Sequence, residues 1–159
     1  MRKFFVGIVF PVFLLFGCTM PSQSTINSST ETTQSEIETE QLVSALDMND
    51  LVKVKNRVVL GMVFAGDKDV VKEATMYRSN TDGNYDMVAV VYPQDLNACL
   101  NYIDEYLSTL KIECNKNYPQ EVFKISNAIV KNNDSKIIVV ITNDIENARV
   151  QAEKVLENQ

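Results

Sequence analysis

The chain has no histidine and no tryptophan, and its 159 residues include only five glycines and three cysteines. Histidine is the commonest general base at neutral pH and the commonest metal ligand. Its absence therefore excludes Ser-His-Asp and Cys-His catalysis and most zinc sites. The few glycines form no phosphate-binding loop and no dinucleotide-binding fingerprint. With 21 acidic against 15 basic residues, the net charge of −6 argues against nucleic acid as a partner. We expect no cofactor, no metal site and no identifiable catalytic residue.

The N-terminus carries a short targeting pattern. Arg2 and Lys3 precede an apolar run over residues 4–16. A membrane-spanning helix needs about 20 apolar residues, so this shorter run is typical of a signal peptide. It ends in Leu15-Phe16-Gly17-Cys18, which resembles the bacterial lipoprotein signal. An aliphatic residue stands three before the cysteine and a small residue directly before it, although Phe16 occupies a position that is usually small.

That resemblance implies a lipid anchor. Residues 1–17 would be removed as the signal peptide, and Cys18 would carry a diacylglycerol with acyl chains such as palmitate. Two acyl chains suffice for stable membrane anchoring. The protein would then lie on the extracytoplasmic face of the cell membrane, in a Gram-positive bacterium. An ordinary secretory signal with a chance cysteine and an uncleaved anchor are the alternatives.

Residues 18–41 have the composition of a spacer. Half of residues 19–40 are Ser or Thr, and no Lys or Arg occurs between Lys3 and Lys53. Such a stretch buries too little apolar surface to offset the entropy lost on ordering. We predict a disordered tether that is dispensable for folding, or alternatively a sugar-bearing stalk. Residues 42–159 would then form a single domain.

Hydrophobic periodicity predicts the elements of that domain. Leu42, Val43 and Leu46 indicate a short N-terminal helical segment, followed by a break at residues 47–50. An apolar stripe that includes Cys99 and Cys114 predicts one long helix. A capping box led by Asn143 would begin the last helix. The further predicted elements are a helix over 56–65, strands over 72–79, 87–92, 125–131 and 137–142, and a last helix over 144–156.

The order of these elements is β-β-α, repeated. Residues 88–107 align without gaps on residues 137–156, and the change from strand to helix falls at the same place in both. We therefore predict an α+β fold. Its mostly antiparallel four-stranded sheet would carry both long helices on one face. Chance similarity between two β-β-α units is the alternative.

The chain from about Asp50 to its end also resembles a family. The pattern consists of Tyr118-Pro119, Ile125, Asn127-Ala128, a strand over 137–141, and Asp144. It is similar to the small lipoproteins of Gram-positive bacteria that carry the domain of unknown function numbered 4358. Those proteins share a lipoprotein signal, a polar tether and a β-rich domain. The family usually has glycine in the last hairpin turn, where this chain has residues 132–135. Since the family has no established activity, the resemblance assigns no catalytic or binding residue.

The remaining candidate sites have simpler interpretations. Cys99 and Cys114 would lie about 22 Å apart on one helix, too far for a disulfide, so we predict two buried free thiols. Residues 80–86 fail the EF-hand pattern, and Asp82-Gly83 predicts a hairpin turn. Asp104-Glu105 indicates a solvated helix face. The six tyrosines would line a ligand surface or pack helices; they are Tyr77, Tyr85, Tyr92, Tyr102, Tyr106 and Tyr118.

The sequence leaves the molecular activity open. The leading hypothesis is a lipid-anchored extracytoplasmic binding module, held to the membrane through Cys18. Its ligand would be a partner protein, a cell-wall polymer or a small molecule. The rival hypothesis is a small hydrolase that uses carboxylates. A transporter's substrate-binding lipoprotein ranks last, because the folded part is too short for two lobes.

Overall fold

The structure, a computed structural model, describes residues 32–158. The predicted signal peptide over residues 1–17, Cys18, and the predicted tether as far as residue 31 lie outside the described residues. The helices are α1 (Gln34–Ala45), α2 (Asn56–Val63), α3 (Leu96–Asn117), α4 (Val122–Ser126) and α5 (Ile145–Glu157). The strands are β1 (Val52–Lys53), β2 (Val71–Arg78), β3 (Met87–Pro93), β4 (Ile129–Asn132) and β5 (Ile137–Ile141). A short 3-10 helix (Pro119–Glu121) joins α3 to α4.

The strands form one antiparallel sheet in the order β1-β2-β3-β5-β4. The predicted α+β class and antiparallel sheet are therefore confirmed. The predicted number of four strands is wrong, because β1 pairs with β2 through Val52 opposite Arg78 and Lys53 opposite Tyr77. A strand of two residues is too short to produce an alternating pattern, so the sequence does not reveal it.

The central strands are buried on both faces. Ala89 of β3 and its partner Val139 of β5 pack against α3, whereas the adjacent Val88 and Val140 pack against α5. The two long helices thus cover opposite faces, and the prediction that they share one face is wrong. An uninterrupted apolar strand indicates burial on both sides, as in Met87–Pro93 and Ile137–Ile141. We call the two surfaces the α3 face, covered by α2, α3 and α4, and the α5 face, covered by α1 and α5.

The folded domain begins earlier than predicted. Residues 34–41, assigned to the tether, belong to α1, and Ser35, Glu38 and Thr39 are buried there. Thr33 caps the helix by accepting the Glu36 backbone N–H on its side chain. The predicted tether of 18–41 and domain start at 42 are therefore wrong for these residues. α1 lies over β2 and β3. Leu42 and Val43, which indicated the predicted N-terminal helical segment, pack into the apolar cluster of this face. The first turns of α1 instead make polar contacts, which a search for apolar periodicity misses.

Most of the other elements agree with the sequence analysis. The helix over 56–65, the long helix and the strands over 72–79, 87–92 and 137–142 are confirmed to within a few residues. The strand over 125–131 is only partly right, because Ile125 lies in α4 and β4 starts at Ile129. Asp144, not Asn143, caps α5, accepting the Asn147 backbone N–H at 3.2 Å. Asp95 caps α3 in the same way. Among residues 32–158, no helix is long and apolar enough to cross a membrane.

Candidate functional site

A cleft of about 560 Å³ opens at one end of the sheet, on the α3 face. Its walls come from α2, from β1 and the end of β2, from the turn that joins β2 to β3, and from the C-terminal end of α3. The lining residues are Val52, Val54, Val58, Met62, Arg78, Ser79, Asn80, Thr81, Asp82, Gly83, Asn84, Tyr85, Glu113, Asn117 and Tyr118. The cleft therefore combines aliphatic, aromatic, amide and charged groups.

The turn between β2 and β3 is shaped by contact with Tyr118. Gly83 has a φ of +73°, a conformation that favours glycine. A Cβ at this position would lie 2.8 Å from two carbons of the Tyr118 ring. The Tyr118 hydroxyl donates to Asp82 Oδ1 at 2.7 Å. The predicted Asp82-Gly83 hairpin turn is thus confirmed, and its close packing on Tyr118 forms one wall of the cleft.

Lys124 fixes the next part of the same wall. Its side chain is 4% exposed, and its ammonium lies 2.8 Å from Asp86 Oδ1 and 2.7 Å from Glu121 Oε2. It also donates to Asn84 Oδ1 at 3.2 Å, while Glu121 accepts the Tyr85 backbone N–H at 3.1 Å. Burial lowers the pKa of Lys124, but hydrogen bonds to the two carboxylates outweigh it and raise the pKa overall. A charged lysine therefore holds residues 84–86 in place.

Arg78 supplies the positive charge of the cleft. It is half-buried at the end of β2, directly opposite Val52. Its guanidinium contacts Met62 Sδ at 3.8 Å. Within the described part of the chain Arg78 takes part in no ion pair. Because arginine remains protonated at every physiological pH, the cleft contains a fixed cation without a carboxylate partner from residues 32–158.

Two carboxylates line other parts of the cleft. Asp82 accepts the hydroxyl of Tyr118, and Glu113 on α3 accepts the hydroxyl of Tyr85 at 3.2 Å. Burial raises the pKa of Tyr85, and its contacts with Cys114 and Glu113 raise it further, so this phenol remains a donor. Both carboxylates are exposed to solvent. The cleft thus presents charges of both signs.

The six tyrosines do not form one surface. Tyr85 and Tyr118 line the cleft with ring centroids 6.0 Å apart. Tyr102 packs edge-on against Phe64 at 6.3 Å, and burial raises the pKa of Tyr106. Tyr77 and Tyr92 instead hydrogen-bond α1, through Glu40 and Glu38 respectively. Four of the six tyrosines therefore pack against helices, and the other two, Tyr85 and Tyr118, line the cleft.

The other candidate residues are buried thiols or exposed residues of α3. Cys99 and Cys114 are buried free thiols on α3, as predicted. Burial, together with the charges of Asp95 and Asp67, raises the pKa of Cys99 to about 11. Asp104 and Glu105 are exposed, as predicted for a solvated face. Residues 32–158 contain no group of three acidic or cysteine side chains that is arranged to hold a metal ion.

The sequence pattern does not identify Arg78 and Glu113 as site residues. Arg78 lies on β2 in phase with the apolar Ala74 and Met76, and a charged residue in that phase is the signal that the sequence offers. No sequence pattern marks Glu113. Its hydrogen bond with Tyr85 depends on where the end of the 22-residue helix α3 lies in the fold. Cys18 lies outside the described residues. No known protein family matches the chain, and no curated protein or solved structure is significantly similar to it.

Proposed function

We propose that this protein is a lipid-anchored extracytoplasmic binding module that holds a small ligand in the cleft. The main support is the cleft itself, whose volume of about 560 Å³ lies within the range of small-molecule sites. Its wall is fixed by the Lys124 ion pairs and by the packing of Tyr118 on Gly83. A preformed wall lowers the entropy that the protein loses when a ligand binds.

The anchor is supported by sequence. Leu15, Gly17 and Cys18 fit the bacterial lipoprotein signal. Removal of residues 1–17 would leave 13 basic and 21 acidic residues, a net charge of −8 that would repel the domain from an anionic membrane. Lipid on Cys18 is therefore the means of attachment that fits this chain. The resemblance to the lipoprotein family with the domain of unknown function numbered 4358 belongs to the same proposal.

A carboxylate-based hydrolase is the second candidate, because Asp82 and Glu113 line the same cleft. Such chemistry usually needs one carboxylic acid that burial keeps protonated. Both side chains are exposed and both already accept a tyrosine hydroxyl. Binding is therefore the better-supported function. Hydrolysis of an envelope substrate that is abolished by Asp82→Asn or Glu113→Gln would reverse this order.

The anchor is tested by metabolic labelling with a fatty-acid probe. Wild type should incorporate the probe and fractionate with membranes, whereas Cys18→Ala should do neither. A Cys99→Ala variant serves as the control, because Cys99 is buried in α3 and should not affect labelling. Equal labelling of wild type and Cys18→Ala would contradict the anchor.

The cleft is tested with a variant that fills it. Val58 lies on the rim of the cleft with its side chain 42% exposed, so Val58→Trp should block the cleft without disturbing the core. We expect compounds from a panel of small metabolites and peptides to raise the melting temperature of wild type but not of this variant. If no compound distinguishes the two proteins, the cleft is not a binding site.

A further inference from the structure

The cleft separates its opposite charges. Arg78 lies at the end of β2, Asp82 in the following turn, and Glu113 on α3. Neither carboxylate forms an ion pair with Arg78, although all three side chains line one cavity. The aliphatic side chains of Val52, Val54, Val58 and Met62 line the same cavity. A matching ligand needs an anionic group, a cationic group and an apolar part.

We propose that the cleft binds a zwitterion, namely a short peptide with a free amino terminus, a free carboxylate and an apolar side chain. This inference rests on the proposed binding function and names its ligand class. Arg78 receives the carboxylate, and Glu113 and Asp82 receive the ammonium group. The aliphatic residues contact the apolar side chain.

Arg78 suits the carboxylate end. A guanidinium presents its N–H groups as a planar fork that pairs with both oxygens of a carboxylate. Arg78 is half-buried beside Val52 and Met62, where less water competes for those N–H groups. The same aliphatic neighbours cover the carbons next to the bound carboxylate. One side chain and its surroundings thus recognise both the charge and the adjacent apolar group.

The carboxylates suit the ammonium end. Each accepts one tyrosine hydroxyl, and a carboxylate has about four acceptor positions, so capacity remains for a ligand N–H. The bonded tyrosines fix the orientation of Asp82 and Glu113. The rings of Tyr85 and Tyr118, at a centroid distance of 6.0 Å, offer faces that attract a cation.

The charge balance disfavours a phosphate ligand. The cleft is lined by one guanidinium and two carboxylates. A phosphate dianion would therefore meet more repulsion than attraction, whereas a zwitterion adds no net charge. A simple cation would leave Arg78 without a partner. The zwitterion is the class that pairs every charged group of the cleft.

Calorimetric titration of the intact mature protein tests the inference, with leucyl-leucine as the probe. Its N-acetyl form lacks the ammonium group, and its C-terminal amide lacks the carboxylate. We expect each blocked form to bind at least about tenfold more weakly, equivalent to about 1.4 kcal/mol. Inorganic phosphate should not compete with the dipeptide.

Variants of the cleft test which residue binds each end of the ligand. Arg78→Gln should remove the preference for the free carboxylate over the amide, while Arg78→Lys should keep part of it. Glu113→Gln should reduce the preference for the free amine. Arg57→Gln is the matched control, because Arg57 is an exposed residue of the neighbouring α2 that does not line the cleft. Circular dichroism establishes that each variant is folded.

The outcomes separate this inference from the proposed function. Absence of leucyl-leucine binding, equal binding of the free and blocked dipeptides, or competition by phosphate would overturn the zwitterion. If other compounds still bind wild type but not Val58→Trp, the proposed binding function stands and only the zwitterion inference is wrong. If no compound binds wild type in preference to Val58→Trp, the binding function and the zwitterion inference are both wrong.

Discussion

The two faces of the sheet are held by different forces. On the α3 face, α2 and α3 pack through apolar side chains such as Val59, Phe64 and Ile103. On the α5 face, α5 also packs through an apolar surface, but α1 adds a polar contact. There Ser35 Oγ lies 2.7 Å from Thr75 Oγ1 in a buried hydrogen bond. The comparison shows that a helix rich in Ser, Thr and Glu can still be part of a core.

A buried ion pair is the centre of that polar contact. Lys136 and Glu38 have side chains 4% and 5% exposed, with Nζ 2.9 Å from Oε1. The ammonium also donates to the carbonyl oxygens of Val155 and Asn158 at 2.9 Å each. Glu38 Oε2 accepts the Tyr92 hydroxyl. One lysine thereby joins α1, the start of β5 and the end of α5.

The largest expected effect comes from breaking this pair. Lys136→Met leaves Glu38 buried without its cation and should lower the free energy of unfolding by about 3–5 kcal/mol. Lys131→Met is the matched control. Its ion pair with Glu153 is exposed on both sides and should contribute less than about 1 kcal/mol. Urea denaturation measures both, and equal losses would contradict the role of the polar contact.

On the α3 face, the free energy of unfolding should depend on side-chain volume instead. Ile103 on α3 is 2% exposed, so Ile103→Ala should cost about 2–5 kcal/mol through the cavity it creates. Ile112 lies on the same helix but is 74% exposed, and Ile112→Ala should stay within about 0.5 kcal/mol. The loss at Ile103 should be the same in low and high salt. A strong salt dependence would contradict the apolar character of this face.

A smaller effect is expected at the cleft. Gly83→Ala places a side chain at a φ of +73°, directly against the Tyr118 ring. We expect a loss of about 1–2 kcal/mol from backbone conformation alone, with weaker ligand binding because Tyr118 must move. Gly61→Ala, where an added Cβ meets nothing within 4 Å, should not destabilise the protein. Unchanged binding by Gly83→Ala would remove Tyr118 from the site.

The smallest effect is a pH dependence on the α5 face. Burial would raise the pKa of Glu73, but hydrogen bonds from Ser35 and Thr33 outweigh it and lower the pKa from its usual 4.5. The resulting stabilisation is complete above pH 4.5 and is lost as the pH falls through the lowered value. Glu73→Gln should therefore cost about 1 kcal/mol at neutral pH and nothing in strong acid. A difference from wild type that does not change with pH would refute this contribution.

The elements that the sequence predicted best are those whose buried residues are apolar and form a regular pattern. The stripe of Cys99, Ile103 and Leu110 identifies α3, and the apolar runs identify β3 and β5. Uninterrupted runs also imply burial on both faces, which would have placed the helices correctly. The end of α1 was indicated by Leu42 and Val43. Its start was missed because the buried positions there are Ser35, Glu38 and Thr39, and those residues predict a spacer unless their distant partners are known.

The site was predicted only in part. Asp82-Gly83 indicated the turn, and the tyrosines included Tyr85 and Tyr118. The cleft itself depends on contacts between segments that are far apart in sequence, such as Lys124 with Asp86 and Glu113 with Tyr85. Single-sequence periodicity reports local structure and carries no information on such pairs.

The most direct test of the account is to map ligand contacts on the isotope-labelled mature protein by NMR during titration with leucyl-leucine. We predict that amide chemical shifts change at residues 78–85 and at Glu113, Asn117 and Tyr118, which line the cleft, and remain constant at residues 34–45 and 145–157 of the α5 face. Changes concentrated in α1 and α5, or no changes at all, would contradict a ligand site in the cleft.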